Sequence, residues 1–223
     1  MTRVVGADVW RKGWVAVLAV DGALVSVETY EAMEALASEH RDANVIAVDT
    51  PIGLPANPPR SADVAARRFV GPRASSVFPT PPRDVLEAAS YEDARRVSIE
   101  RHGRGVSAQS YALRHRILET DAVARVDERI IEVHPEVSFR ALAGEPLRFA
   151  KKTWNGQQER RQLLAGAGLV ISDRLDGLVG EVPPDDVLDA AVAVWSGLRF
   201  AVGDAQALPV EPLSGQYGNV IWY

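Results

Sequence analysis

The chain predicts an α/β fold with a mixed sheet, an antiparallel three-strand meander joined to parallel strands and flanked by helices. Three observations carry this expectation. Apolar runs at residues 3–9, 14–20 and 24–30 are separated by turn-length gaps, and the second gap holds Asp21-Gly22, a strong hairpin signal. Met33, Leu36 and Ala37 then recur at helical spacing before a fourth apolar run at 44–49, and a helix between strands favours a crossover and parallel pairing. Residues 185–200 form the clearest helix, with Val187, Leu188, Ala191, Val192, Val194 and Trp195 on a wide apolar face. Pro183 and Pro184 block its extension backwards, and Gly203 lies just beyond its end.

The texture changes after Asp49. Thr50-Pro51-Ile52-Gly53-Leu54-Pro55 and Asn57-Pro58-Pro59 do not suit regular structure, because proline removes a backbone donor and fixes φ. A short helix at 61–70, capped by Ser61, is followed by a second irregular stretch at 71–82 and by helices at 91–102 and 108–126. A fifth strand, 129–133, leads into His134-Pro135-Glu136, and helices are expected at 137–143 and 156–167. The chain therefore reads as a single domain, 1–223, with a helical and loop insertion at about 50–128 that folds over the rim where Asp49 emerges. The tail from Leu213 to Tyr223 suits a terminal hairpin or an edge strand, folding back onto the domain or forming the edge of a homodimer.

At 223 residues and 47% hydrophobic content the chain can bury a sizeable core. No apolar run reaches the roughly 18 residues that a membrane span needs, and the first residues lack a signal-peptide pattern. Cysteine is absent, which excludes disulfides and thiolate metal sites. A cytoplasmic protein is the expectation, and the excess of arginine over lysine suits a high-GC bacterial coding sequence. The net charge of -5 counts against a protein that coats nucleic acid non-specifically, though not against an enzyme with a local basic groove.

The acidic residues carry the most chemistry. Asp8 ends the first apolar run and Asp49 the fourth, while Asp186 and Asp189 lie at the start of the C-terminal helix. A carboxylate at the tip of a buried strand is costly unless its charge is compensated. Hard oxygen ligands converging from separate rigid elements are what one or two Mg2+ or Mn2+ ions require. Asp186 and Asp189 are three apart on one helix face, so both can address one ion. Each acid also has a plainer reading: Asp8 as a strand-end acid before a turn, Asp49 as an Asx-type turn before Thr50-Pro51, Asp186 as a complement to the helix dipole. Asp185 suits the dipole role better, and Asp189 is harder to explain in that way. Glu132 is an additional candidate ligand. His134 is either an acid/base or substrate contact or part of a strand-to-helix turn, with Pro135 and Glu136 in the first helical turn.

Arginines gather at Arg60, Arg67, Arg68, Arg73 and Arg83, then at Arg95, Arg96, Arg101 and Arg104, accompanied by acids that suit a solvated helix face. Phe78 and Trp154 are either base-stacking platforms or loop anchors. No phosphate-loop glycine pattern occurs.

The order of strands and acids resembles the ribonuclease-H-like fold of nucleases, resolvases and integrases. The segments Gly6-Ala7-Asp8, Asp49-Thr50-Pro51-Ile52-Gly53-Leu54-Pro55, Val77-Phe78-Pro79-Thr80-Pro81, Glu132-Val133-His134-Pro135-Glu136 and Asp186-Val187-Leu188-Asp189-Ala190 are similar, over nearly the whole chain, to domain-of-unknown-function family 429, treated as predicted ribonuclease-H-like nucleases. The resemblance implies a metal-dependent phosphodiesterase. Asp8, Asp49, Asp186 and Asp189 would hold Mg2+ or Mn2+, with Glu132 assisting at the catalytic centre. It implies DNA or RNA as partner, with Lys152, Arg160 and His134 on the substrate side, because Lys152-Thr153-Trp154-Asn155-Gly156 followed by Glu159-Arg160-Arg161 resembles a recurring family segment. Two rivals stand beside it. One is a degenerate nuclease fold kept as a non-enzymatic binding or assembly module. The other, a nucleotide-binding phosphotransferase, needs a second domain and glycine-rich turns.

Overall fold

The computed structural model describes residues 1–11, 13–210 and 218–223. Five strands form one sheet in the order β3-β2-β1-β4-β5: β1 (Arg3–Trp10), β2 (Gly13–Val20), β3 (Ala23–Tyr30), β4 (Val45–Val48) and β5 (Ile130–Glu132). The pairs β1–β2 and β2–β3 are antiparallel, whereas β1–β4 and β4–β5 are parallel. This mixed sheet, flanked by helices, is consistent with a ribonuclease-H-like arrangement. The hairpin expected at Asp21-Gly22 is present, with φ of 48° and 82° at the two residues, the double positive φ that a tight hairpin of matching twist requires.

Alternation along the strands divides the core into two layers. Val4, Val15, Val17, Val45, Ala47, Ile131 and Val133 face the C-terminal helix α9 (Pro184–Ala201), which packs with α7 (Pro135–Ala143) and α8 (Trp154–Gly166). Val5, Ala7, Trp14, Ala16, Ile46, Val48 and Ile130 face the opposite layer, with Met33 and Leu36 of α1 (Met33–Glu39) and Ala124 of α6 (Arg114–Ala124). Between β4 and β5 lie also α2 (Ser61–Val70), α3 (Arg83–Leu86), α4 (Tyr91–His102) and α5 (Ala108–Ala112).

Helix α9 lies unusually close to β1. A Cβ at Gly6 would fall 2.1 Å from the Ala190 carbonyl oxygen and 2.5 Å from the Val194 amide nitrogen. On the helix side, a Cβ at Gly197 would meet Val4 at 2.6 Å. Small residues at Ala190, Ala191 and Ala193, all fully buried, let the helix settle onto the strand.

Several expectations are corrected in detail. The helix expected at 108–126 is two, because Leu113 (φ -81°, ψ -2°) closes α5 and opens α6. No glycine or proline marks this break. Tyr111 packs with Val85, Ala94 and Val106, whereas α6 packs on α1 as well as on α3. Helix α2 is not capped by a Ser61 side chain. Arg60 holds the N-cap position, and Ser61 Oγ accepts from Asn219 Nδ2 at 3.0 Å. The irregular stretch 71–82 contains a 3-10 turn, Gly71–Ser76. Of the tail, residues 213–217 lie outside the described residues. The remainder folds back: β7 (Ile221–Trp222) pairs antiparallel with β6 (Ala207–Leu208), Trp222 bridges to Val133, and Asn219 N donates to Ile52 O at 3.0 Å.

Replacing Gly6 with Ala forces α9 off the sheet, because both obstructing atoms are backbone. We expect Gly6→Ala to lower unfolding free energy by about 1–3 kcal/mol, measured by urea denaturation; an unchanged midpoint would refute the close-contact account.

Candidate metal centre

Strand parity aims the first two acids. Asp8 follows Gly6 by two residues and Asp49 follows Ala47 by two, so both point to the α9 side of the sheet. The strands that carry them are adjacent and parallel, with Ala7 opposite Val48, and Asp49 N donates to Ala7 O at 3.0 Å. The close fit of α9 on Gly6 then brings in Asp189, next to Ala190 in the contact. Carboxylate oxygens of Asp8, Asp49 and Asp189 lie within 4.8 Å of one another. Asp8 and Asp189 are buried and Asp49 is partly buried.

Lys151 reaches into this cluster. Its Nζ lies 2.5 Å from Asp189 Oδ2 and 3.9 Å from Asp185 Oδ2. Asp189 Oδ1 is buried without a hydrogen-bond partner, and Asp8 Oδ1 accepts from Val9 N at 2.7 Å. Burial and mutual repulsion outweigh the lysine. The Asp8 carboxyl is held well above its usual range by burial, then by Asp49 and Asp189. Burial raises Asp49 to about 7 against the opposing pull of Lys151, with Asp186 and Glu136 adding to the rise. Burial likewise lifts Asp189 to about 6, again opposed by Lys151 and reinforced by Asp49. Asp186 rises to about 6 through burial and the neighbouring Asp185. The Lys151 ammonium is stabilised by Asp189, Asp8 and Asp49 against its own burial.

The other sequence candidates are placed differently. Glu132 pairs in register with Val48, so it points to the layer opposite Asp8 and Asp49. There its oxygens accept from Arg60 Nη2 at 2.6 Å, Arg60 Nη1 at 2.8 Å and Ile52 N at 2.7 Å. It therefore fastens the loop after Asp49 instead of joining the acid cluster. Asp63 completes the buried set, accepting from Arg60 at 2.7 Å and from Thr80 N at 2.7 Å. Asp121 of α6 accepts from Gly53 N at 2.9 Å.

His134 is the N-cap of α7. Its Nδ1 accepts from Glu136 N at 3.2 Å, and burial lowers the imidazole pKa. This geometry fits the strand-to-helix turn, and His134 also lines the cleft into which the acids open. Arg160 is fully buried, held by Glu136 Oε1 at 2.6 Å and by the carbonyls of Phe149 and Gly156, both at 3.2 Å. It supports the turn before α8 and is closed off from any substrate. Lys152 is exposed at the cleft rim, and it is the neighbouring Lys151, passed over in the sequence reading in favour of Lys152, that enters the cluster. Asp185, assigned from sequence to the helix dipole alone, is buried and also faces Lys151. Asp186 is partly buried beside the cluster. Several arginines of the 91–104 region lie in solvated ion pairs, including Arg96–Asp93 and Arg101–Asp84.

The acids open into a cleft of about 640 Å3, whose walls include Phe78, Leu113, Ile117, Arg73 and Lys152. Trp154 is exposed and lies outside that lining. A second hollow of about 520 Å3, with Arg161, Ile171 and Leu175 in its wall, lies between α8 and α9. The donor set of the cluster is all carboxylate oxygen, which suits hard cations such as Mg2+ or Mn2+ better than zinc.

The model of the family described as "Protein of unknown function (DUF429)" matches residues 6–213, and the chain belongs to that family. No curated protein and no solved structure matches the chain. Among the described residues, no helix is long and apolar enough to cross a membrane.

Two outcomes follow. Arg60→Met would leave Glu132 and Asp63 buried without their cation, and we expect a loss of about 3–5 kcal/mol by denaturant unfolding. A loss under about 1 kcal/mol, the scale of exposed pairs, would contradict the buried-network account. The second outcome concerns pH. Asp49 retains its proton in the folded chain until about pH 7, whereas the unfolded chain releases it near its usual 3.8. The folded state then binds more protons across that window, so this group destabilises the fold increasingly as pH rises. Metal-free Asp49→Asn should therefore match the parent near pH 4 and become the more stable of the two by pH 7. Thermal melts of both across that range would show a constant gap if the carboxyl were unperturbed.

Proposed function

We propose that the chain is a divalent-metal-dependent phosphodiesterase acting on nucleic acid, with Asp8, Asp49 and Asp189 as ligands and Asp186 beside them. The observation that carries this reading is the convergence of three carboxylates from β1, β4 and α9 on one point, with a buried Asp189 oxygen left unpartnered. An orphaned buried carboxylate oxygen is costly, and a cation removes that cost. When bound, such a cation supplies Lewis acidity at a phosphoryl oxygen and a more acidic water.

The protein's own groups do the rest. Lys151, at the cleft wall, offers an ammonium to an anionic substrate. Arg73 and Lys152 add positive charge along the same walls, and Phe78 presents an aromatic face. The loop from Asp49 to Gly53 is held by Glu132 and Asp121, so Asp49 keeps its aim. Hydrolysis adds water across the P–O bond, and Asp186, beside the ligands with its carboxyl raised to about 6, is the acidic group placed for proton transfer near neutral pH. The carboxylate donor set makes Mg2+ or Mn2+ the natural cofactor.

One observation favours a second reading. Lys151 already pairs with Asp189 at 2.5 Å, which partly satisfies the acids without a metal and fits a non-enzymatic nuclease-fold module.

Calorimetric titration with Mn2+ separates the two. The parent should bind Mn2+ and gain melting temperature, while Asp49→Asn, folded by circular dichroism, should lose at least ten-fold in affinity and all turnover of oligonucleotides. Unchanged binding in the variant, or no binding in the parent with an oligonucleotide present, would remove the metal-centre reading.

A further inference from the structure

The two oxygens of Asp189 have different surroundings. Oδ2 meets the Lys151 ammonium at 2.5 Å, while Oδ1 is buried without a partner. Asp189 is 1% exposed, so neither oxygen relies on bulk water. Two-metal phosphoryl-transfer sites place their ions about 3.5–4 Å apart, each touching a shared carboxylate. In this chain an ammonium already stands against the carboxylate that would be shared.

Lys151 is delivered there by a built turn. Thr153 N and Thr153 Oγ1 both donate to Ala150 O, at 2.9 Å and 2.8 Å. Thr153 also caps α8, with Gly156 N donating to its Oγ1 at 3.1 Å. A Cβ at Gly156 would lie 2.0 Å from Ala150 O, so only glycine lets the helix pack against the turn. Arg160, fully buried, holds the preceding Phe149 carbonyl. A surface lysine needs none of these fastenings. Charge points the same way. Three ligating carboxylates, one divalent ion and one ammonium balance to neutrality. A second divalent ion beside Lys151 would crowd like charges around one buried carboxylate, Asp189. Asp185 and Asp186 lie in the first turn of α9, where the helix dipole offsets part of their charge.

We propose that the Lys151 ammonium fills one of two cation places in this cluster. The site then takes a single divalent ion, held by Asp8, Asp49 and the free oxygen of Asp189. Lys151 is the second positive charge facing a substrate phosphate in the cleft. The inference rests on the metal-centre reading above and goes beyond it in fixing the number of ions and the role of a residue outside the carboxylate set.

The test uses Mn2+ alone with the full chain, by calorimetry for stoichiometry and by electron paramagnetic resonance for ion–ion coupling. The parent should bind one Mn2+ per chain with a mononuclear, uncoupled spectrum. Lys151→Met should bind two, with a spin-coupled signal, and Lys151→Gln provides a second variant if the first fails to fold. Two coupled ions in the parent would overturn the inference while leaving the metal centre standing. One ion, or none, in a folded Lys151 variant would also overturn it. No Mn2+ in the parent would sink the metal-centre reading and this inference together.

Discussion

The contact of α9 with β1 at Gly6 governs the arrangement of the acids. The Ala190 carbonyl and Val194 amide occupy the space that a side chain at Gly6 would need. Asp189 is therefore carried on a helix turn pressed against the strand whose next residue on the same face is Asp8. The parallel pairing of β1 with β4 adds Asp49 alongside. Backbone-to-backbone proximity of this kind leaves little freedom for the carboxylates to separate. Their repulsion is answered by Lys151 and by retained protons instead of by movement apart.

Two fully buried or nearly buried arginines support this centre from opposite layers. Arg60 ties β5, through Glu132, to the loop that follows Asp49, and its partner Asp63 holds Thr80 of the next loop. Arg160 ties α7, through Glu136, to the turn that precedes α8 and so to Lys151. Each guanidinium offers several donors in a rigid plane, which suits simultaneous bonding to a carboxylate and to backbone carbonyls. Removing the charge from either would leave acids buried in a medium that penalises them.

The electrostatics of the cleft are uneven by construction. Its floor is anionic, with burial raising the proton affinity of four aspartates, while Arg73 and Lys152 stand in its walls. An acidic chain overall can still present such a local gradient, because fields in a cleft with low-dielectric walls are set by nearby groups.

The meander, the crossover, the Asp21-Gly22 turn, α4 and the C-terminal helix were legible because each depends on local periodicity and turn chemistry. Asp49 and Asp189 were legible as strand-end and helix-start acids, whereas Asp8, read as a strand-end acid, lies inside β1 opposite Val15, two residues before the strand ends. The parity of β5 also stood in the chain: Ile131 and Val133 alternate with Glu132, and pairing Val48 with Glu132 turns that acid away from Asp49. That pairing register is a tertiary fact, so the alternation alone did not exclude Glu132. The choice of Lys151 over Lys152, the enclosure of Arg160 and the break at Leu113 have no local signature. They follow from which surfaces meet across long sequence separations, where packing and desolvation, and not propensity, select one side chain over its neighbour. By itself, then, the sequence determined the order of most strands and helices and offered Asp8, Asp49, Asp186, Asp189 and Glu132 as candidate acids, since period and spacing carry that much. Only the tertiary structure decided which charged residues enter the centre and which are sealed into its supports, because burial cost is set by neighbours that the linear chain does not name.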